Sequence, residues 1–368
     1  MVQYTYILMK GTTLMAKDIK TYYEQSYIDN TLRLREVLKT LPTFVKDYFR
    51  AIEPSTSSKT RISYAYDLRV FFHFLIENNP QFRAFSTNQF TVHDLELVDS
   101  MDIEEYLDYL KVYNSPDDKQ ITNTERGLAR KFSALCSLYR YLYKHKFITQ
   151  NPTVFVDKPK IHDKAIIRLD IDEVVSLLDY VEECGNQLTG QKKVYYDKTR
   201  TRDLAILTLL LGTGIRVSEC VGLDIHDVDF KNNGIKVTRK GGNEMVVYFG
   251  DEVRDALELY LETDRAATTP LPSHENALFL SMQRKRIGVQ AVENMVKKYA
   301  RQVTPNKKIT PHKLRSTYGT NLYKETGDIY LVADVLGHKD VNTTRKHYAA
   351  IDEDRRRQAA SAVKLRES

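Results

Sequence analysis

The stretch TQNPTVFVDKPKIHDKAII, beginning at residue 149, divides this chain into two halves that cannot share one helical pattern. Proline lacks the N–H that an internal helical turn needs, and it pushes the preceding residue toward extended backbone. Pro152 and Pro159, set in mixed polarity, therefore end the helices before them. With 368 residues the chain is long enough for two domains, each with its own core. The break places an interdomain linker at 149–166, a helical domain over 42–148 and a second domain over 167–355. Residues 1–41 read as a partly helical N-terminal extension, and 356–368 as a C-terminal tail. A second methionine, Met15, opens MAKDIKTYYEQ as a possible start of translation, and residues 1–14 receive no functional assignment.

Upstream of the break, apolar residues recur at helical spacing and strand-like runs are few. A helix over roughly 58–78 carries Ile62, Tyr66, Val70 and Phe74 on one stripe, read as core, with Lys59, Arg61 and Arg69 elsewhere on its surface. A further helix, NTERGLARKFSALCSLYRYLYKHKF, sets Leu128, Phe132, Leu135, Leu138 and Leu142 against a basic face of Arg126, Arg130, Lys131, Arg140 and Lys144. Such a face serves either as a solvated surface or as a nucleic-acid contact.

Downstream, Asp170 is the expected N-cap of a helix, with Glu173 three residues on completing a capping box. RDLAILTLLLGTGIRVSECVGL reads as a buried helix broken by Gly212 and Gly214, then a short helix carrying Arg216 and Glu219 on one face. GIKVTRKGGNEMVVYFG alternates, is rich in valine, and has Gly241-Gly242 at its middle; it predicts a β-hairpin with Lys240 at the turn. From about residue 287 the pattern is helical again through the tail, so the second domain reads as mostly helical. The fold class expected is mainly α with a small antiparallel β-sheet.

The 55 Lys+Arg against 49 Asp+Glu leave a net charge of +6, which favours an anionic partner without demanding one. Cys136, Cys184 and Cys220 are widely spaced and odd in number, without a C-x-x-C, which argues against a disulfide framework and a zinc site. The sequence has neither a signal-peptide pattern nor an apolar run long enough to span a bilayer, so a cytoplasmic protein without a membrane anchor is expected.

Charged and titratable residues stand in several places where folding alone does not ask for them. Arg216 with Glu219, Lys240 on its turn, and ITPHKLRSTYGTNLY with His312 and Arg315 just after Pro311 are three; LGHKDVNTTRKHYAAID, with His338 and Tyr348, is another. Singly each has an ordinary explanation, since an i,i+3 Arg–Glu pair is usually a surface salt bridge and a hairpin lysine is usually solvated. Together, two arginines that can fork bonds to phosphate oxygens, a lysine, two histidines and a tyrosine suit chemistry on a phosphodiester.

In that order, on those kinds of element, the set closely resembles the tyrosine recombinase/phage integrase family: TGIRVSE, TRKGGN, TPHKLRSTYG, LGHKD and a following tyrosine. The resemblance covers roughly residues 42–355. LPTFVKDYFRAI and RDLAILTLLLGTGIRVSE are most similar to Xer-type (XerS-like) site-specific recombinases. It implies a helical core-binding (SAM-like) domain followed by an α+β catalytic domain, and cleavage and rejoining of double-stranded DNA through a 3′-phosphotyrosyl link without cofactor, metal or ATP. Tyr348 is then the nucleophile, Arg216, Arg315 and His338 contact the phosphate, Lys240 is the general acid and His312 a proton acceptor. Glu219 supports Arg216 or His312 from behind.

Lys59, Arg61, Arg126, Arg130, Lys131, Lys158 and Lys160 are the candidate DNA contacts. The resemblance further implies a homotetramer on two inverted-repeat sites, a tail that docks on a neighbouring protomer, and resolution of chromosome dimers, with a chromosome-segregation or accessory protein as a possible partner. Integration of a mobile element is the main alternative; a type IB topoisomerase and a non-catalytic DNA-binding derivative are weaker ones. His347, set about 100° around a helix from Tyr348, is expected to be dispensable.

Overall fold

The computed structural model describes residues 21–114, 119–162, 166–239, 242–337 and 341. The chain divides into two compact units between residues 164 and 165. Among the described residues no helix is long and apolar enough to cross a membrane.

The first unit holds α1 (Tyr22–Leu38), α2 (Val45–Ala51), α3 (Ser58–Asn78), α4 (Ser100–Tyr109), a hairpin of β1 (Val112–Asn114) and β2 (Gln120–Thr122), and α5 (Glu125–Lys144). Polar caps set the starts of its helices. The Ser57 hydroxyl accepts from the Thr60 N–H at 3.2 Å to open α3, and the Asp99 carboxylate accepts from the Asp102 N–H at 3.0 Å to open α4.

Aromatic side chains fill the core, with Tyr48, Phe71, Phe72, Phe82, Phe90, Tyr106, Phe132 and Tyr139 all buried. Helix α3 matches its expected span but is buried more widely than one stripe. Ala65, Leu68, Phe71, Phe72 and Leu75 are fully enclosed, while Tyr66 and Val70 are only half-buried. Leu34, Val37 and Leu41 pack into the same core, so this part of the 1–41 extension belongs to the first unit. So does the start of the 149–166 stretch: Pro152–Val154 forms a 3-10 turn, with Pro152, Thr153 and Val156 buried. The short β1–β2 hairpin has no counterpart in the sequence reading.

The second unit contains α6 (Ile171–Glu183), α7 (Gly190–Asp197), α8 (Arg200–Thr213), α9 (Val217–Gly222), a three-stranded antiparallel sheet, α10 (Asp251–Tyr260), α11 (Val289–Val303), α12 (Pro311–Thr326) and α13 (Ile329–Leu336). The sheet comprises β3 (Val228–Asp229), β4 (Gly234–Thr238) and β5 (Glu244–Tyr248), in that order. At the start of α6 the expected box forms, the Asp170 N–H donating to Glu173 Oε2 at 2.7 Å. Buried nearly all round, α8 is the unit's central helix, packed against α6, α10 and α12. It does not break at Gly212. Gly212 stays within the helix, and glycine is needed there for room, because a Cβ would come within 2.5 Å of Val253 Cγ2 on α10. The break comes at Gly214, whose φ of +62° turns the chain out of the helix.

Candidate active site

The site is built where three elements of the second unit meet the last turn of α13. Leaving α8 at Gly214, the chain presents Arg216 as the extended N-cap of α9, one step outside the helix on which the sequence pattern had placed it. The Arg216 N–H donates to Glu219 Oε2 at 2.8 Å, and its Nη1 donates to Glu219 Oε1 at 2.7 Å. Glu219 is 3% exposed, so its carboxylate satisfies a helix-start N–H while aiming the guanidinium. Arg216 Nη2 also approaches the carbonyl of Gly337 at 3.4 Å.

Arg315 comes from α12, where Pro311 occupies the first helical position. Its guanidinium is buried, Nη1 donating to the Gly214 carbonyl at 2.6 Å and Nη2 to the Leu336 carbonyl. It thus ties the end of α8 to the end of α13. The first turn of α12 also carries His312, which is exposed, so His312 and Arg315 share a helix but differ in burial. Arg216 and Arg315 therefore converge on neighbouring carbonyls, those of Gly337 and Leu336.

The third arginine is Arg239, which sequence reasoning missed. Strands β4 and β5 pair as the alternation predicts, with Thr238 opposite Glu244. Beyond them the Arg239 N–H donates to the Asn243 carbonyl at 2.7 Å and closes the turn. The Arg239 side chain folds inward, Nη1 donating to the Leu336 carbonyl at 2.6 Å and Nη2 to the Val335 carbonyl at 2.8 Å. Burial pushes this guanidinium below its ordinary pKa; Glu219 opposes that shift and Arg216 adds to it. The only sequence signal was its place beside Lys240 in TRKGG.

Last in this cluster is Gly337, the left-handed cap of α13 with φ +61°. A Cβ there would lie 2.3 Å from Arg239 Nη1, so the turn needs glycine for its backbone and for the room it leaves. Lys240, His338, His347, Tyr348 and the 356–368 tail lie outside the described residues.

Two of the seven candidate DNA contacts need correction. Arg61 is buried with its Nη1 2.9 Å from Glu53 Oε1, and Lys131 is buried with its Nζ 3.2 Å from Asp67 Oδ1. Neither has surface to offer a phosphate. Arg130 also pairs with Asp67 but keeps an exposed side. Lys59, Arg126, Lys158 and Lys160 are exposed.

The described residues hold one group with ligand atoms close enough for a cation, Asp224, His226 and Asp227. Two of these are already engaged: Asp227 accepts from the Asp224 N–H at 2.9 Å, and Asp224 pairs with Arg286.

Residues 167–355 match the phage integrase family. Over 305 residues the chain is 30% identical to the tyrosine recombinase XerD of Staphylococcus epidermidis, a match spanning 82% of this chain and 92% of that protein. It is 32% identical over 338 residues to the tyrosine recombinase XerC of Caldanaerobacter subterraneus, spanning 90% and 89%.

Two solved structures share the fold. One is the Tn1549 transposon integrase in complex with transposon right end DNA, at TM-score 0.60 and 19% identity over 86% of this chain and 98% of that one. The other is the XerH site-specific recombinase bound to palindromic difH substrate, at TM-score 0.58 and 19% identity over 83% and 79%.

Proposed function

We propose, from the premise that the chain belongs to the phage integrase family and is a tyrosine recombinase, that it acts in the Xer manner, recombining inverted-repeat sites to resolve chromosome dimers. The observation that carries the chemistry is the convergence of Arg216 and Arg315 on the carbonyls that immediately precede His338. The Xer role is supported by two relatives, at 30% and 32% identity along most of the chain, both named Xer.

Two guanidiniums held by backbone carbonyls and a buried carboxylate are preorganised donors, which is what a phosphate gaining charge in a transition state requires. A free tyrosine hydroxyl titrates near pH 10 and is a poor nucleophile at neutral pH. In this reading His312, on the exposed first turn of α12, accepts the proton of Tyr348. The phenolate oxygen attacks the scissile phosphorus, and Arg216, Arg315 and His338 hold the non-bridging oxygens. The bond to the 5′ oxygen breaks, and that oxygen takes a proton from Lys240. The 3′-phosphotyrosyl link conserves the phosphodiester, so a second 5′ hydroxyl can displace the tyrosine. Glu219 acts through Arg216. Four protomers on two sites would carry the exchange.

A duplex carrying the inverted repeat, nicked close to the cleavage position so that the cut end is lost, tests this. Wild-type protein should accumulate a covalent protein–DNA adduct and Tyr348→Phe should form none. An adduct that persists in Tyr348→Phe would show that another residue is the nucleophile.

A further inference from the structure

Three arginines from three elements share the last turn of α13, and the proposed chemistry assigns a task to only two of them. Arg239 is 9% exposed, spans the consecutive carbonyls of Val335 and Leu336, and has an enclosed Nε with no hydrogen-bond partner among the described residues. An enclosed, incompletely bonded arginine is costly, and a turn between two short strands does not need one. What it does achieve is attachment. Through its main chain it closes the β4–β5 turn on Asn243, and through its side chain it fixes that turn to the same carbonyl, Leu336, that Arg315 holds.

From this geometry we infer that Arg239 is a positioning residue for DNA cleavage, locking the β4–β5 turn to the end of α13 so that the hairpin lysine and the arginine pair act on one phosphate. The inference rests on the assignment of Lys240, one peptide bond away, as general acid. Among the described hydrogen bonds, those of the Arg239 side chain are the ones that join this turn to α13. Misplacement of a reacting group by about 1 Å costs on the order of 100-fold in rate.

A substrate with sulfur in place of the bridging 5′ oxygen separates positioning from general support of the fold. An alkoxide needs a proton to leave, since a hydroxyl ionises only far above neutral pH; a thiol ionises near pH 8.5 and leaves unaided. Single-turnover cleavage would be measured with full-length protein on nicked duplexes with oxygen or sulfur at that atom. Lys240→Ala and Arg216→Ala serve as references.

Arg239→Met should cleave the oxygen substrate roughly 100-fold more slowly than wild type. It should return to within a few-fold on the sulfur substrate, as Lys240→Ala does and Arg216→Ala does not. Arg239→Lys, which keeps a cationic donor where Met risks the fold, should show a smaller loss with the same sulfur rescue. Wild-type oxygen cleavage by both variants, or equal slowness on the two substrates, overturns the inference. If Lys240→Ala is itself not rescued, the acid assignment falls and the inference with it. Rescue of Lys240→Ala without rescue of the Arg239 variants overturns the inference alone.

Discussion

Each unit buries a knot of charge, and the two knots are tied in opposite ways. In the first unit Asp67, 1% exposed on α3, faces Arg130 and Lys131 of α5, so a buried anion meets one buried and one partly exposed cation. In the second unit Arg216 engages a carboxylate, while the described contacts of Arg239 and Arg315 are with main-chain carbonyls. Carbonyl dipoles orient a guanidinium without cancelling its charge. The first knot fastens two helices around one buried anion; the second sets three guanidiniums beside one buried carboxylate, an excess of positive charge that suits a phosphate.

The sharpest way to break that contrast is to remove the anion of the first knot. Asp67→Ala strands Lys131 among apolar side chains, and deleting one partner of a buried ion pair costs about 3–5 kcal/mol. Denaturant unfolding of the full chain should show that loss in the transition of the first unit. Single-turnover cleavage of DNA already bound, below the melting range, should stay near wild type. A variant that unfolds like wild type would show that Asp67 does not fasten α3 to α5.

Arg216→Ala should do the converse. Removing one preorganised donor to a developing oxyanion slows a reaction by about 10²–10³, or roughly 2.7–4 kcal/mol. Folding should weaken as well, because the buried Glu219 carboxylate loses its guanidinium, but less than in Asp67→Ala, since Glu219 keeps the main-chain N–H of residue 216 and Arg216 is partly exposed. A stability loss larger than the kinetic one would make this arginine a fold element like Lys131.

Gly337 tests whether the second knot depends on its close fit. A non-glycine residue at φ +61° costs about 1–2 kcal/mol, a penalty that asparagine largely escapes. Were backbone freedom the whole reason for glycine, Gly337→Asn would behave as wild type and Gly337→Ala would not. The Arg239 guanidinium lies where any Cβ must go, so both should cleave poorly. Full cleavage by Gly337→Asn would remove the steric half of the explanation.

The same two knots show how far the sequence could be read. Features set by local periodicity and local hydrogen bonds were legible: α3 over Ser58–Asn78, the Asp170–Glu173 box, the β4–β5 hairpin, and Pro311 opening α12. What failed was the sorting of charged residues into surface and interior. Arg61 and Lys131 stood on faces that looked solvated, and their partners, Asp67 far along the chain and Glu53 just before α3, draw them inside. Arg239 was passed over for a related reason. Its acceptors lie about a hundred residues on, at 335 and 336, and no pattern within TRKGG announces them. Strands of three residues, as in β1 and β2, are too short to show an alternation at all.

The exposed cations carry a weaker version of the contrast. Lys59 and Arg126 are free of the Asp67 knot and exposed, whereas Arg61 and Lys131 are enclosed. If the exposed pair meets DNA phosphates, Lys59→Ala and Arg126→Ala should each lower the slope of log affinity against log salt by about one, evenly across sequences. Arg61→Met should leave that slope alone. A slope that falls with Arg61 and not with Lys59 would reverse the assignment of which face meets the nucleic acid.

The smallest expected effect belongs to His347. Beside the proposed nucleophile it is the obvious partner for Tyr348 in the sequence, yet if the segment is helical the two side chains project about 100° apart. In the proposed mechanism every role the reaction needs is filled from elsewhere: the clamp from α9 and α12, the acid from the hairpin, the proton acceptor from the exposed start of α12. His347→Ala should therefore accumulate the covalent adduct within about twofold of the wild-type rate, since substitutions away from such sites change energies by only about 0.5 kcal/mol. A loss comparable to that of Tyr348→Phe would place a histidine at the nucleophile's side. It would then be His347, not His312, that takes the proton, and the second knot would serve only to hold the phosphate.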